Sequence, residues 1–185
     1  MLKNICAYNI IYLCCIDYLK IGDEMKKIVK EYLSYIIIIV VVVLVRTFLV
    51  TPGLVNGDSM LSTLHDKDLV IVNKIALKKG INRYDIVVVK TEDTTIIKRV
   101  IGLPNEKVTY KNNKLYINDK LVDTPIEFQE TNDFELISGE DQYIVLGDNR
   151  MISKDSRYIG AIKKEHIKGK VDLVLFPFKR FGKII

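Results

Sequence analysis

Serine, threonine or a carboxylate would have to supply the nucleophile if this chain performs hydrolytic chemistry. The two histidines, His65 and His166, lie far apart and no cysteine accompanies either, so we predict neither a metal site nor a cofactor. All three cysteines precede Met25. A catalytic thiol and a disulfide scaffold are therefore absent from residues 25–185.

Lys98 is a candidate general base, because it lies in the middle of the apolar segment TIIKRVI (95–101). On a strand with a period of two, Ile96, Lys98 and Val100 share one face. If that face is inward, the ammonium group loses hydration, its pKa falls, and the neutral amine can accept a proton from a serine. The alternative is a lysine on an edge strand that faces solvent.

Ser59 is the matching candidate nucleophile. It lies in the turn-like segment NGDSM (56–60), where Gly57 permits a close approach of the backbone. The backbone N–H of Ser59 could also help to bind an oxyanion. Taken alone, a serine in such a turn can equally be structural.

A polar segment, GDNRMISKDSR (147–157), follows a predicted strand. Two aspartates, two arginines and two serines lie within it. This density predicts a rigid loop that is held by Asp–Arg pairs, and a solvated surface loop is the alternative.

The elements that would position these residues begin with an apolar segment at residues 32–50, which contains one charge, Arg46. A membrane span needs about 20 apolar residues, and in lipid the backbone must be helical. We predict a cytoplasmic basic stub and a single transmembrane helix within residues 25–50. Lys26, Lys27 and Lys30 favour a cytoplasmic amino terminus, which places residues 51–185 outside the cell membrane.

Residues 1–24 form a doubtful extension. Their apolar part is too short to span a membrane and has no small-residue cleavage site. Met25 is followed by basic residues and the apolar segment, as at the start of a membrane protein. Our hypothesis is that translation begins at Met25, and the alternative is a real but weakly structured extension.

The remaining 135 residues predict a mainly β domain. The segment 124–141 is acidic and poorly patterned, and we expect it to be a surface loop or flap. The net charge of +5 includes no dense basic block, so we expect no binding of nucleic acid. The strand candidates are Leu69–Ile75, Tyr84–Lys90, Thr95–Ile101, Lys107–Tyr110, Lys114–Ile117, Gln142–Leu146 and Val171–Phe176.

Taken together, these segments resemble the type I signal peptidases, which are membrane-bound enzymes that remove signal peptides from exported proteins. The resemblance covers roughly residues 25–177, and the short chain with one span is similar to the Gram-positive form. The boxes that carry it, after the membrane anchor, are GDSMLSTL (57–64), YDIVVVK (84–90), KRVIGLP (98–104) and GDNRMISKDSRYIG (147–160).

The resemblance implies a single transmembrane helix followed by a β-rich catalytic domain. Ser59 would be the nucleophile, Lys98 the general base, and Ser153 the residue that orients the lysine. Met60 and Ile96 would line a cleft that prefers small residues at positions −1 and −3 from the cut. The implied partners are signal peptides of preproteins, the lipid bilayer and a nearby export channel. The implied structural supports are Arg99, Asp148, Arg150, Asp155 and Arg157.

Three positions depart from the family pattern. Ser62 replaces a proline of the serine box, and Asn105-Glu106 replaces a Gly-Asp pair after the lysine box. Gly57 replaces the serine that supplies an oxyanion hydroxyl in some relatives. Stabilisation of the oxyanion would then depend on backbone N–H groups, including that of Ser59.

Other functions remain open at this point. A self-cleaving repressor of the LexA type also uses serine and lysine, but the apolar span and the lack of a DNA-binding segment argue against it. A non-catalytic membrane-anchored binding domain is a second alternative. A peptidase dedicated to pilin-like substrates is a third. The apolar and basic tail 172–185 could rest on lipid, or it could be a final strand with a solvated end.

Overall fold

The computed structural model describes residues 25–44, 46, 49–124 and 131–184. The chain divides into two units, Met1–Arg46 and Thr47–Ile185. The hypothesis about residues 1–24 lies outside the described residues.

In the first unit, residues 25–44 form a helix, α1, whose apolar side chains are exposed. No helix in the described part of the chain combines the length and the apolar character that a membrane crossing requires. The predicted span extended to Val50, but Val50 instead begins the first strand of the second unit.

The second unit contains one larger sheet, whose strands follow the order β1-β2-β11-β3-β4-β9-β10, with β12 also pairing with β11. The pairs within it are antiparallel. Its strands are β1 (Val50–Leu54), β2 (Leu69–Asn73), β3 (Ile86–Lys90), β4 (Thr95–Gly102), β9 (Gln142–Leu146), β10 (Ile162–Lys163), β11 (Ile167–Phe176) and β12 (Gly182–Lys183).

A four-stranded antiparallel sheet follows the order β7-β6-β5-β8. Its strands are β5 (Lys107–Lys111), β6 (Lys114–Ile117), β7 (Lys120–Leu121) and β8 (Phe134–Ile137). The second unit also has the short helix α2 (Ser156–Ile159) and three 3-10 turns, at Ile75–Lys79, Lys164–His166 and Phe178–Arg180.

The mainly β prediction is confirmed, and each of the seven predicted strands is present. Five further strands, β1, β7, β8, β10 and β12, lie outside the seven predicted segments, and two of them, β1 and β8, contradict an expectation. The sequence predicts that a helix ends and the chain breaks within residues 50–54, but these residues form β1. Pro52 is tolerated there because β1 is an edge strand. Within the expected loop 124–141, Phe134–Ile137 forms β8, because it pairs with β5 over four residues.

The cores of the two sheets hold the loops that carry the candidate residues. Met60 and Leu64, which belong to the turn that follows Ser59, are buried in one cluster with Val70 and Val174. A second cluster contains Val100 and the partly buried Ile96. In a third, Ile101, Ile144 and Leu146 of the larger sheet pack against apolar side chains of the smaller sheet.

Candidate active site

Lys98 and Ser59 are in direct contact. The Nζ of Lys98 donates a hydrogen bond to the Oγ of Ser59 at 2.6 Å. Lys98 is only 3% exposed, and its strand, β4, lies between β3 and β9. The alternative of a solvent-facing lysine on an edge strand is therefore wrong.

Burial is the main influence on the pKa of Lys98, because removing an ammonium group from water disfavours the charged form. It lowers the pKa of Lys98 from its ordinary value of 10.5 to about 8, against the opposing charges of Asp155 and Asp148. The positive charge of Arg157 lowers it further. The neutral form of Lys98 is then a minority near physiological pH, but a far larger one than for an ordinary lysine.

The turn that carries Ser59 is fixed by its own backbone. The N–H of Leu61 donates to the carbonyl of Asp58 at 3.1 Å, and the N–H groups of Thr63 and Leu64 donate to that of Met60 at 2.9 and 2.8 Å. These bonds form a helix-like turn directly after the nucleophile. They keep Ser59 at its start, where its hydroxyl meets Lys98.

Gly57 has a φ of +87°, a conformation that glycine adopts readily. Its N–H donates to the Oδ1 of Asp66 at 2.8 Å. This bond lowers the pKa of Asp66 and ties the residues before Ser59 to the end of the same loop.

The polar loop after β9 contacts the nucleophile turn through its backbone. The N–H of Asn149 donates to the carbonyl of Ser59 at 3.1 Å. A Cβ at Gly147 would lie 2.6 Å from the same carbonyl oxygen and would overlap Ser153. Glycine is therefore required at 147 by this close approach, whatever its backbone angles.

Two buried ion pairs hold this loop, as its composition predicts. Arg99 donates to both carboxylate oxygens of Asp148, at 2.9 and 2.8 Å, and both side chains are fully buried. Arg157 donates likewise to Asp155 at 2.8 and 2.9 Å. Burial would raise the pKa of Asp155, but the hydrogen bonds from Arg157 and from the N–H of Gly147 hold it below its usual value. The alternative of a solvated surface loop is therefore wrong.

Arg150 lies in the same loop, and its Nε donates to the carbonyl of Gly147 at 2.8 Å. Burial lowers the pKa of Arg150 to about 10. Arg150 thus closes the loop locally and does not contact the reacting groups through this bond.

The expected hydrogen bond from Ser153 to Lys98 is not formed. The buried Ser153 hydroxyl lies close enough to Asp155 to contribute to its lowered pKa, but it reaches hydrogen-bond geometry with no group in the described part of the chain. The side chain of Ser153 lies directly against Gly147, where an added Cβ would overlap its hydroxyl oxygen.

An open cleft of about 350 Å³ leads to the dyad. Ser59 and Lys98 lie in its wall together with Met60 and Ile96, the two residues that the resemblance placed there. The other lining residues are Gly53, Leu54, Val55, Asn56, Gly57, Val72, Val88, Thr94, Thr95 and Ile97. The wall combines apolar side chains with polar ones.

Sequence reasoning missed Thr63, which joins the serine turn to the buried ion pair. Its Oγ1 donates to Asp148 at 2.6 Å and accepts from the Nη2 of Arg99 at 2.8 Å. Thr63 lies in a quoted box, but it is an ordinary threonine in sequence. Only the fold brings it to residues 85 and 36 positions away.

The two departures after the lysine box are accommodated. Asn105, in place of glycine, has a φ of +61°, which asparagine tolerates better than most residues. Glu106 accepts two hydrogen bonds from Arg83, at 2.9 and 2.7 Å, and one from the N–H of Leu103 at 2.7 Å. These bonds lower the pKa of Glu106 against the effect of burial. The acid that Glu106 preserves at this position therefore anchors the turn.

Comparison with known proteins identifies the family. The model of the signal peptidase family, peptidase S26, matches residues 27–176. This chain belongs to that family. It is accordingly a serine endopeptidase of the type I signal peptidase class, which acts on preproteins that bear signal peptides.

Two signal peptidases from Bacillus agree with this assignment. Signal peptidase I of Bacillus caldolyticus is 40% identical over 168 residues, which cover 80% of this chain and 91% of the relative. Signal peptidase I S of Bacillus subtilis is 39% identical over 174 residues, or 85% and 95% of the two chains. A crystal structure of a signal peptidase I from Enterococcus faecalis matches with 33% identity and a TM-score of 0.44, over 49% of this chain and 96% of that one.

Proposed function

We propose that this chain removes signal peptides by acyl transfer, with Ser59 as the nucleophile and Lys98 as the general base. The observation that carries the proposal is the 2.6 Å contact between the Lys98 Nζ and the Ser59 Oγ. The lowered pKa of Lys98 supports it, because a general base must be neutral before it can accept a proton.

In the first step, neutral Lys98 takes the hydroxyl proton of Ser59 while the Oγ attacks the carbonyl carbon at the end of the signal peptide. The tetrahedral intermediate collapses as the protonated lysine gives its proton to the leaving amine, so that an ester to Ser59 remains. Lys98, neutral again, then takes a proton from water, and the resulting hydroxide attacks the ester and releases the signal peptide. The Oγ of Ser59 leaves the ester as an alkoxide and takes the proton back from Lys98, so both residues return to their starting states.

The developing oxyanion would be bound by backbone N–H groups, including that of Ser59. The N–H of Ser59 donates to no protein acceptor within the described residues, whereas that of Gly57 is engaged by Asp66. A free donor next to the attacking oxygen is what such stabilisation needs.

We propose that Met60 and Ile96 set the preference for small residues at −1 and −3. Both border the cleft beside the dyad, and Met60 is fully buried, so it cannot move aside easily. Large substrate side chains would then displace packed core atoms.

We assign the remaining roles in the same way. Arg99, Asp148, Arg150, Asp155 and Arg157 would be structural supports, because their hydrogen bonds end on the loop and turn that hold the dyad. Ser153 would orient Lys98 only after a small rotation of its hydroxyl side chain, since it is buried beside Gly147 without a formed bond.

We also propose that the chain is anchored in the cell membrane, with its amino terminus in the cytoplasm and residues 51–185 outside, near the export channel. The apolar segment at 32–50 and the preceding lysines support this topology. In the second unit, Leu54 and Phe176 pair with Leu69 from its two sides, and the ring of Phe178 contacts that of Phe176 edge to face. Leu54, Phe176 and Phe178 are exposed, and together they form an apolar surface that suits contact with a bilayer. Translation from Met25, and a flap within 124–141, remain proposals from sequence.

The test is cleavage of a secretory preprotein by the full-length protein in detergent, with Ser59→Ala and Lys98→Ala in parallel and the new amino terminus of the product sequenced. We expect cutting after a small-X-small motif that is lost in both variants. Lys90→Ala is the matched control, because Lys90 is an exposed lysine on the neighbouring strand β3.

Other outcomes would change the proposal in different ways. Cutting that survives Lys98→Ala would remove Lys98 as the base. Cleavage of pilin-like substrates alone would indicate a dedicated peptidase, and inertness toward every preprotein would favour the non-catalytic binding domain. Extraction of membranes at alkaline pH tests the anchor, since a spanning chain stays in the pellet.

A further inference from the structure

Arg180 is distant from Ser59 in sequence, yet it contacts the loop that carries Ser59. Its Nη2 donates to the carbonyl oxygen of Thr63 at 3.0 Å and forms an ion pair with the Oδ2 of Asp68 at 2.8 Å. Thr63 belongs to the serine turn, and Asp68 lies directly before the start of β2. We propose that Arg180 is a positioning residue for the reaction, holding the serine turn in place from the carboxyl-terminal end of the chain. This inference rests on the proposed role of Ser59 as the nucleophile.

Thr63 is the route by which Arg180 acts on the dyad. The N–H of Thr63 bonds to Met60, the residue next to the nucleophile, and its hydroxyl bonds to Asp148 and Arg99. Arg180 restrains the remaining polar group of Thr63, its carbonyl. Releasing that carbonyl would loosen the turn that begins at Ser59, and small displacements of a nucleophile cost much of its reactivity.

Asp68 supplies a buried negative charge for Arg180. The carboxylate is buried, with 1% of the residue exposed, and its Oδ2 also accepts the N–H of His65 at 2.8 Å. Arg180 is the partner that offsets this buried charge in the described part of the chain. One nitrogen of Arg180, Nη2, contacts both the carboxylate and the Thr63 carbonyl, so a lysine ammonium that reached the same point could replace part of the contact.

The tail presents Arg180 in a fixed geometry. After β11 ends at Phe176, a 3-10 turn covers Phe178–Arg180, and the N–H of Arg180 bonds to the carbonyl of Pro177 at 2.8 Å. The side chain of Arg180 is about three-quarters buried, while Lys179 beside it is exposed. The match to the family model ends at residue 176, so this contact lies beyond the segment that defines the family.

The experiment measures kcat and KM of the full-length protein in detergent with an internally quenched peptide that spans a signal-peptide cleavage site. The variants are Arg180→Met, Arg180→Lys and, as the matched control, Lys179→Met. We expect Arg180→Met to lower kcat about tenfold or more while KM changes less than about threefold. Arg180→Lys should recover part of the loss, and Lys179→Met should stay within about twofold of the parent.

A double-mutant cycle tests whether Arg180 and Asp68 act as a pair on the serine turn. Asp68→Asn keeps the acceptor for His65 but removes the charge. If the two residues act as one unit, the variant with both changes should be no slower than the slower single variant. Multiplicative losses would show that Arg180 acts independently of Asp68 and would overturn the part of the proposal that pairs these two residues. Thermal melting of each variant ensures that kcat is compared between folded proteins. If Asp68→Asn does not fold, the comparison of kcat between Arg180→Lys and Arg180→Met tests whether the positive charge at position 180 is what the serine turn requires.

The result that overturns the proposal is a folded Arg180→Met variant whose kcat equals that of the parent. Ser59→Ala, assayed beside it, separates this failure from that of the proposed function. An inactive Ser59→Ala with a fully active Arg180→Met would refute only the positioning role. An active Ser59→Ala would refute the nucleophile assignment itself.

Discussion

The Nζ of Lys98 lies 2.6 Å from the Oγ of Ser59, within a site where the lysine is almost completely shielded from water. One physical cause, burial, both brings the two atoms together in a dry environment and lowers the pKa of Lys98 to about 8. The charges of Asp155 and Asp148 oppose this shift, but each carboxylate is paired with an arginine that limits its effect.

Activity should therefore rise with pH through the pKa of Lys98. Below about pH 8 the lysine is mainly protonated and cannot accept the serine proton, and above it the neutral base dominates. We expect kcat to rise about tenfold per pH unit below this midpoint and to level off above it. The measurement is kcat from pH 6 to 10 with a peptide substrate that has no titrating groups in this range. A flat profile with chemistry rate-limiting would contradict the role of Lys98.

Replacing Lys98 by methionine should stabilise the fold while abolishing activity. The lowered pKa of Lys98, about 8 instead of 10.5, means that burying the charged lysine destabilises the fold at neutral pH. Methionine fills a similar volume and carries no charge. We expect the free energy of unfolding at pH 7 to rise by about 2 kcal/mol, as measured by urea denaturation. Because the unfolded chain binds more protons than the folded one between pH 8 and 10.5, the parent gains stability over that range. The advantage of Lys98→Met should then shrink, and an advantage that stays constant with pH would contradict this explanation.

Gly147→Ala should lower activity severely, although it adds only one methyl group. The added methyl group would overlap Ser153 and would lie 2.6 Å from the carbonyl oxygen of Ser59, so the loop and the nucleophile turn must separate. We expect kcat to fall at least about 100-fold. Gly139→Ala is the control, because its nearest neighbour is the flexible end of Gln142, and it should retain most of the activity. Equal activity of the two variants would argue against the close approach.

Local pattern was sufficient to predict the strands that bury apolar side chains and the placement of Lys98 on a strand. The alternation of Ile96, Lys98 and Val100 is a property of neighbouring residues, and the fold placed Ile96 and Val100 in one cluster. β8 was not predicted because Phe134–Ile137 combines apolar residues with a glutamate and is partly exposed. Its pairing with β5 also depends on residues more than twenty positions away.

In the candidate site, too, some residues could be predicted from local pattern and others only from the fold. The boxes pointed to Ser59 and Lys98, but the roles of Thr63, Asp66 and Arg180 depend on contacts that no local pattern encodes. Arg180 reaches Thr63 across 117 positions, and its segment reads as an ordinary basic tail. The expected bond from Ser153 to Lys98 shows the converse limit, since a motif specifies which residue is present but not which way its hydroxyl points.

Ile96 offers a test of how the cleft selects its substrate. Its side chain lines the cleft beside Lys98 and packs against a core cluster, so Ile96→Ala should enlarge the space for the substrate near the dyad. We expect the preference for alanine over valine at −1 or −3 to fall about tenfold, because one or two methylene groups in an apolar pocket are worth that much discrimination. The measurement is the ratio of kcat/KM for paired peptides that differ at one position. Leu121→Ala removes an exposed side chain from the smaller sheet and should leave the ratio unchanged. If Ile96→Ala lowers kcat/KM equally for both peptides, Ile96 supports the fold of the cleft without selecting the substrate.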